Sequence, residues 1–414
     1  MSKITVLGGC GAIGSVAVRT LAARDDFSEI VIAEKRTELA CELAEQLDPS
    51  KISVRQVDAD NPESIKQAVA SSAVVLNCIG PFYKYGPRIL QAVIEAGIDY
   101  VDVCDDLDAT VDELALDEAA RKGEVSALIG MGNSPGLANL LVRFCADHVL
   151  SQVDVVDIYH IHGGEPVEGA AVIKHRLHAM ESEIPIFLDG KFTQVKMLEE
   201  SGQALVEQTE FKDIGTYPVY PYPHAETITL PRYLSGVCRV ANLGCVLPIS
   251  YFRLTMDMIR SGLGSTQPVT VQSCQVIPRE FAVSFLQAQR NRLLREAGIT
   301  GPLGCLKVKI QGKRDGEAHT CIFSLSSRSG GVGVGTGIPA ALGAVLMAQG
   351  GIARKGVFPP EAAVDPLPLL KLADETVQQF GIGERLPITV EHIDKHGKRA
   401  SGELARSEHT VCPT

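Results

Sequence analysis

The sequence predicts an α/β protein: an N-terminal doubly wound parallel sheet, followed by a second, mixed α+β domain. Three observations predict it. Apolar strand-like runs alternate with helical patterns over residues 1–132, as in βαβ units whose sheet is covered on both faces. From residue 153, alternating strand patterns separated by turn-rich stretches take over. Finally, 414 residues exceed one typical core, so two domains are the default.

The first strand, 4–7, runs into Gly9-Cys10-Gly11-Ala12-Ile13-Gly14, which opens a helix over 13–24. A second strand, 29–34, ends in Glu34, twenty residues after Gly14. Strand, glycine turn, helix and distant acid together form the dinucleotide-binding context. Gly9 permits the tight turn, Gly11 lets backbone approach a pyrophosphate, and Gly14 lets the helix pack closely. Ala12 and Ile13 then stand at the positive end of the helix, where phosphate binds. Glu34 can accept both ribose hydroxyls of NAD. Lys35 and Arg36 can stabilise the 2′-phosphate of NADP or merely begin a solvated helix, so NAD is favoured only slightly.

Further strands are expected at 52–57, 73–77, 100–103 and 125–129, with helices at 36–47, 62–71, 84–96 and 109–122. Asn61-Pro62 starts the third helix and Gly97 ends the fourth. Ser134 is the expected N-cap, and Pro135 the first residue, of a helix reaching His148. Beyond it, strands are expected at 153–162, 184–188, 192–197, 226–230, 269–277, 306–311 and 320–326. Helices are expected at 169–181, 251–262 and 280–297. A glycine-rich loop, 330–337, leads into a buried helix, 338–349, and another helix follows at 365–379. The domains are therefore 1–132, with 338–385 packing back onto it, and 133–337. Residues 386–414 read as a polar tail.

Composition excludes several functions. A net charge of −11 disfavours nucleic acid. The apolar stretch 332–348 is broken by Gly335, Gly337 and Pro339, which disfavours a membrane span. A strand beginning at residue 4 leaves no room for a secretory leader, so a cytoplasmic location is expected. The eleven cysteines form no CxxC pair and read as reduced, mostly buried thiols. His160 with His162, and His175 with His178, have ligand spacing but no completing residue, so no metal site is expected.

The crevice beyond the strand carboxyl ends selects the candidate site. Asp58 and Ala59 follow strand three, at the adenine end. Cys78, Gly80 and Pro81 follow strand four, and Tyr83 stands at the mouth. After strand five come Asp102, Cys104, Asp105 and Asp106, which serve either strand-end chemistry or helix starts. Farther on, His224, Glu226 and Arg232 can hold an amino-acid substrate, with Arg for a carboxylate, acid for an ammonium and His as proton carrier. A stiff loop around a satisfied core histidine reads equally well. Thr336 marks an expected helix N-terminus that either binds an anion or is simply capped.

Five stretches, VLGGCGAIG, VLNCIGPFYKYGPRILQAVIEAGIDYVDVCDD, GMGNSPGLANLL, HAETITLPR and TGIPAALGAVLMAQGGIARKGVFPPE, span most of residues 1–360. In them the chain resembles the saccharopine dehydrogenase-like NAD(P)-dependent oxidoreductases, a group with saccharopine reductases, lysine 6-dehydrogenases and carboxynorspermidine dehydrogenases. The resemblance implies a Rossmann domain, a second domain that binds substrate and dimerises, and C-terminal helices returning to the first. It implies hydride transfer at a carbon bearing the amine or imine nitrogen of an amino-acid-derived small molecule. Gly9, Gly11, Gly14 and Glu34 carry over for the cofactor, and Gly80, Pro81 and Asp105 for the crevice. His224 and Glu226 match a histidine–acid pair, with Ala225 in place of a frequent proline. Asp105 and His224 are the expected proton handlers; Tyr83, Glu226, Arg232 and Thr336 the expected substrate contacts. Two other readings stay open: an enoyl reductase on a lipid or carrier-bound substrate, and a non-catalytic dinucleotide-binding protein.

Overall fold

The computed structural model describes residues 2–166, 168–328, 331–381 and 384–404. They form two units, one mainly of Met1–Ser151 and Val332–Pro387, the other of Gln152–Gly331 and Ile388–Ser401.

The first unit holds β1 (Ser2–Leu7), β2 (Phe27–Glu34), β3 (Ile52–Gln56), β4 (Val74–Asn77), β5 (Asp99–Asp102) and β6 (Ser126–Leu128), of which β1 to β4 are rich in β-branched residues. Between and after them run α1 (Gly14–Ala22), α2 (Thr37–Glu45), α3 (Pro62–Val69), α4 (Phe82–Glu95), α5 (Leu107–Leu114), α6 (Asp117–Lys122) and α7 (Leu137–His148). The single helix expected over 109–122 is thus two. Asn61 caps α3 as expected, accepting from the amides of Glu63 and Ser64. The start of α7 differs. Its N-cap is Gly136, at φ 121°, and not Ser134. A Cβ on Gly136 would lie 2.0 Å from the Gly132 carbonyl oxygen, so only glycine makes this entry.

The second unit opens with β7 (Gln152–Gly163), α8 (Ala170–Glu181), β8 (Glu183–Leu188), β9 (Lys191–Lys196), α9 (Glu200–Gln203), β10 (Glu207–Phe211) and β11 (Gly215–Pro221). It continues through α10 (Glu226–Tyr233), β12 (Arg239–Leu247), α11 (Ile249–Arg260), β13 (Val269–Val271), β14 (Cys274–Val276), α12 (Pro278–Glu296), β15 (Leu303–Arg314) and β16 (Glu317–Ser327). Three strands here, β10 to β12, are not anticipated by the sequence pattern. Residues 226–230, expected as a strand, form a helix instead. Thr227 turns its hydroxyl back onto the His224 carbonyl, and Glu226 to Leu230 are all buried, so tertiary packing overrides the alternating pattern.

The chain then forms α13 (Gly331–Ala348), β17 (Gly356–Phe358) and α14 (Pro366–Gln379) in the first unit, apart from Gly331. The glycine-rich segment expected as a loop is helical from Gly331. Its apolarity is accounted for by burial, because Ile338, Ala340, Ala341, Leu342, Ala344 and Val345 belong to the core around β1 and α1. The expected polar tail also departs from the reading. Residues Ile388–Ile393 and Arg399–Glu403 form β18 and β19, and β18 pairs with β16 from Thr320↔Ile393 to Leu325↔Ile388. The remainder of that tail, 405–414, lies outside the described residues.

Among the described residues the first sheet has seven parallel strands in the order β17-β6-β5-β4-β1-β2-β3. The order reverses between β1 and β4, which places the ligand crevice of such a sheet beyond their carboxyl ends. The second sheet is mixed, running β10-β11-β12-β7-β15-β16-β18-β19, with β8 attached to β12 and β9 to β8. Its own apolar core lies among α8, α11, α12 and the strands beside β12.

Candidate active site

The β1–α1 turn has the shape its glycines require. Gly8, at φ 73°, donates its N–H to the Ala33 carbonyl and so ties the turn to β2. A Cβ on Gly14 would lie 2.2 Å from the Gly8 oxygen, so any side chain here would push α1 away from the turn. Gly11 is different. Its Cβ would meet only the Gly8 oxygen, at 3.5 Å, and it is exposed together with Ala12. Ile13 heads α1 without a side-chain cap, and the first turn carries no acid. An uncapped helix start beside an open glycine backbone is a seat for pyrophosphate.

Glu34 ends β2 beside this turn. One carboxylate oxygen accepts the Cys10 N–H at 3.2 Å and the other the Lys35 N–H at 3.1 Å. Burial, followed by the charge of Glu34, pushes the Cys10 thiol up to about 11. Lys35 and Arg36 are exposed, and Lys35 lies 3.5 Å from Asp58. The amide of Asp60, then Lys35, holds the Asp58 carboxyl below its usual range. Ala59 is partly buried against the apolar cluster that holds Ala33, Val57 and Ile65. These residues fit a dinucleotide: an anion seat, an open backbone and an acid at the ribose position.

The ends of β4 and β5 rest on a buried polar network. Asn77 donates to the Tyr100 hydroxyl at 2.9 Å and accepts the Ile79 amide at 3.0 Å. Asp102 accepts the amides of Cys104, at 3.0 Å, and Gly130, at 2.7 Å, so one carboxylate oxygen ties together the loops after β5 and β6. Burial raises Asp102 to about 6, against those two amides. Burial and the neighbouring Asp102 push Glu113 well above the usual carboxyl range. Burial also pushes the Cys78 thiol up to about 12. Gly80 would meet nothing within 4 Å of an added Cβ, and Pro81 leads into α4.

Asp105 and Asp106, adjacent in sequence, do different work. Asp106 is buried and accepts the Tyr83 amide at 2.9 Å, capping α4, whose N-cap Pro81 has no suitable side chain. Asp105 is half-buried beyond the strand end. Thr336 is not at a helix N-terminus. It lies within α13, its methyl 2.9 Å from where a Gly132 Cβ would stand. The glycines beside it serve packing: Cβ atoms on Gly333 and Gly337 would lie 2.5 Å and 2.7 Å from the carbonyl oxygens of Ala12 and Ile13. Thus α13 supports the dinucleotide turn from behind, a role the sequence reading missed.

In the second unit, His224 and Glu226 are buried, and Asn242 from β12 joins them. The Asn242 amide nitrogen is 3.2 Å from Glu226 Oε1 and 3.5 Å from His224 Nδ1, while His224 and Glu226 are 4.0 Å apart. His160 stacks on His224 with ring centroids 4.9 Å apart, and Tyr222 meets both rings edge-on. Gly244, opposite His160 on β12, makes room, since a Cβ there would lie 2.2 Å from the imidazole. Burial, then the other histidines, drives His224 well below its usual pKa, and burial takes His160 down to about 3. Both imidazoles are therefore neutral at physiological pH. Arg232 is exposed in the last turn of α10, away from this buried polar group.

Residues 4–128 match the model of the saccharopine dehydrogenase NADP binding domain. Along its length the chain is similar to carboxyaminopropylagmatine dehydrogenase of a Synechocystis species, 24% identical over 391 residues that cover 89% of this chain and 94% of the relative. A shorter match, 27% over 107 residues, covers about a quarter of each chain and is to a trans-acting enoyl reductase of Mycobacterium ulcerans. Among solved structures, saccharopine dehydrogenase (L-Glu forming) of Saccharomyces cerevisiae aligns over 97% of this chain and 100% of its own, with a TM-score of 0.66 at 16% identity. That likeness establishes the shared fold.

Proposed function

From a chain that belongs to the saccharopine dehydrogenase-like oxidoreductases, we propose an enzyme that transfers a hydride at a carbon bearing an amine or imine nitrogen. Its substrate class would be the carboxylated polyamines, with opines of the saccharopine type and lysine as the neighbouring options. One observation carries the reading: an acid-answered dinucleotide turn in a chain similar over 89% of its length to a carboxyaminopropylagmatine dehydrogenase. Acids at the end of β5 suit a cationic substrate better than a lipid.

The β1–α1 turn, the α1 N-terminus and Glu34 would hold NAD(P), which would supply or accept the hydride. The protein must do the rest. In the oxidising direction the substrate amine has to be neutral, so a base accepts its proton. In the reducing direction an acid returns one to nitrogen as carbon gains the hydride. Asp105, half-buried at the strand end, is the residue we assign to that proton. His224 is held neutral, which suits hydrogen-bond orientation of a polar substrate group better than storage of a proton. NAD is the preferred cofactor in this reading, because a 2′-phosphate would meet the Glu34 carboxylate.

The test is NADH and NADPH formation from a panel of carboxylated polyamines, saccharopine-type opines, L-lysine and other diamino acids. The chain has no tryptophan, so bound NADH is read by its own fluorescence. Turnover with one amine supports the assignment and identifies the cofactor. NADH binding without turnover moves the balance to the enoyl-reductase reading, which the shorter mycobacterial match favours.

A further inference from the structure

A second chemistry-bearing cluster lies in the second unit, on strands remote in sequence from His224. β16 and β18 are antiparallel, with Cys321 directly opposite His392. Residues 319 and 321 are two apart on β16 and share one sheet face, and the residue opposite 321 shares it too. Three nitrogen and sulfur donors therefore converge. His319 Nε2 is 3.1 Å from His392 Nδ1, and Cys321 Sγ is 3.5 Å from that same nitrogen. One donor atom from each residue lies within 4.8 Å of the other two.

The spacing is that of ligands around one ion. With zinc bonds of about 2.0–2.1 Å to nitrogen and about 2.3 Å to sulfur, tetrahedral geometry separates two nitrogens by about 3.3 Å and nitrogen from sulfur by about 3.6 Å. A hydrogen-bond network explains the geometry less well. An imidazole nitrogen offers one lone pair or one N–H in the ring plane, and here two groups crowd the same nitrogen. The surroundings also suit a metal. Cys321 is fully buried while both imidazoles are partly exposed, giving a sulfur-lined floor reached from solvent. Gly312 stands opposite His319 on β15, so no side chain from that position crowds it. Ile310, Phe323 and Val390, on the same face, are buried and apolar, a shell that strengthens ligation.

We propose that His319, Cys321 and His392 bind one divalent transition ion, for which zinc is the best chemical match, with water in the fourth position. Binding replaces the thiol proton: the Cys321 S–H bond breaks, a metal–sulfur bond forms and one proton is released. The ion would fasten β18, the strand drawn from the C-terminal stretch, to β16. Neither histidine pair with ligand spacing in the sequence, 160/162 or 175/178, takes part.

The test uses the full-length protein, stripped with a chelator and titrated with Co2+. One equivalent is expected to saturate a near-ultraviolet thiolate-to-cobalt band and visible bands of tetrahedral intensity, both bleached by Zn2+. Cys321→Ser should abolish the thiolate band. His392→Asn should weaken Zn2+ binding by on the order of 100-fold or more, since loss of an outer-shell partner alone costs about 10–100-fold. Melting in chelator checks that each variant is folded, and Zn2+ should then raise the wild-type Tm but not that of the variants. No thiolate band in the wild type, or the same band in folded Cys321→Ser, would overturn the assignment.

Discussion

Single atoms decide much of the chemistry at the residue scale. An added methyl at Gly14 meets a backbone oxygen at 2.2 Å, an overlap relieved only by moving α1. Gly14→Ala should therefore cost about 1–3 kcal/mol of stability and weaken NADH binding at least tenfold, read by melting and by fluorescence titration. Asp105→Ala should lower kcat by on the order of 10²-fold or more and leave NADH affinity within about twofold. An unchanged kcat removes Asp105 from proton transfer. The buried pair Asp102 and Glu113 gives a pH dependence with a fixed sign. Both carboxyls are raised by folding, so the native state holds protons that the unfolded chain has released. Their favourable term is full below about pH 4, the unfolded range, and is lost as pH rises through about 6 and beyond. Glu113→Gln removes one of the two acids. Its Tm, relative to wild type, should rise as pH climbs from about 4.5, the unfolded carboxyl range, through about 6 and beyond, and a constant difference would refute the raised Glu113 carboxyl. Glu34 and its glycines were legible in the sequence because the motif is local. The roles of Asp102, Asn242 and Asp106 were not, because each is defined by a partner on another strand or helix.

At the scale of elements, α13 and β18 hold the main lessons. The sequence suggested a loop over 330–337 because glycine disfavours helix by about 1 kcal/mol per residue. Packing reverses that, since two of those glycines let the helix reach within contact of the Ala12 and Ile13 carbonyls. Gly337→Val should then weaken NADH binding several-fold although Gly337 is remote in sequence from the motif, and a titration would show it. The alternating Ile388, Val390 and His392 pattern of β18 was readable, but its polar neighbours made it look like a tail. Residues 226–230 erred the other way: strand-like alternation gave way to a helix buried beside β12. Gly244 shows a related dependence. Gly244→Ala should unstack His160 from His224 and lower kcat more than NADH affinity, which steady-state kinetics with a binding titration would separate.

For the whole molecule, the alternation of βα units made the first sheet legible, while the mixed sheet was not, because strands such as β7, β12 and β15 pair across long sequence gaps. The two units also respond oppositely to acid. His160 and His224 are neutral when folded and protonate when unfolded below about 6.5, so the second unit loses stability as pH falls from there toward about 3. Ending the chain after residue 387 removes the pairing of β18 with β16, and such a truncation should lower the Tm of the second unit while NADH binding to the first persists. The interleaving of the units has a further consequence, for the ribosome. The first unit begins with residue 2 but waits for α13, β17 and α14; the second waits for β18. At roughly 5–20 residues per second, the intervening residues 152–331 take roughly 10–35 s to emerge. During that interval the newly made N-terminal sheet lacks its covering helix and edge strand. Slower translation of residues 152–331 should therefore lengthen the time for which that sheet stays uncovered.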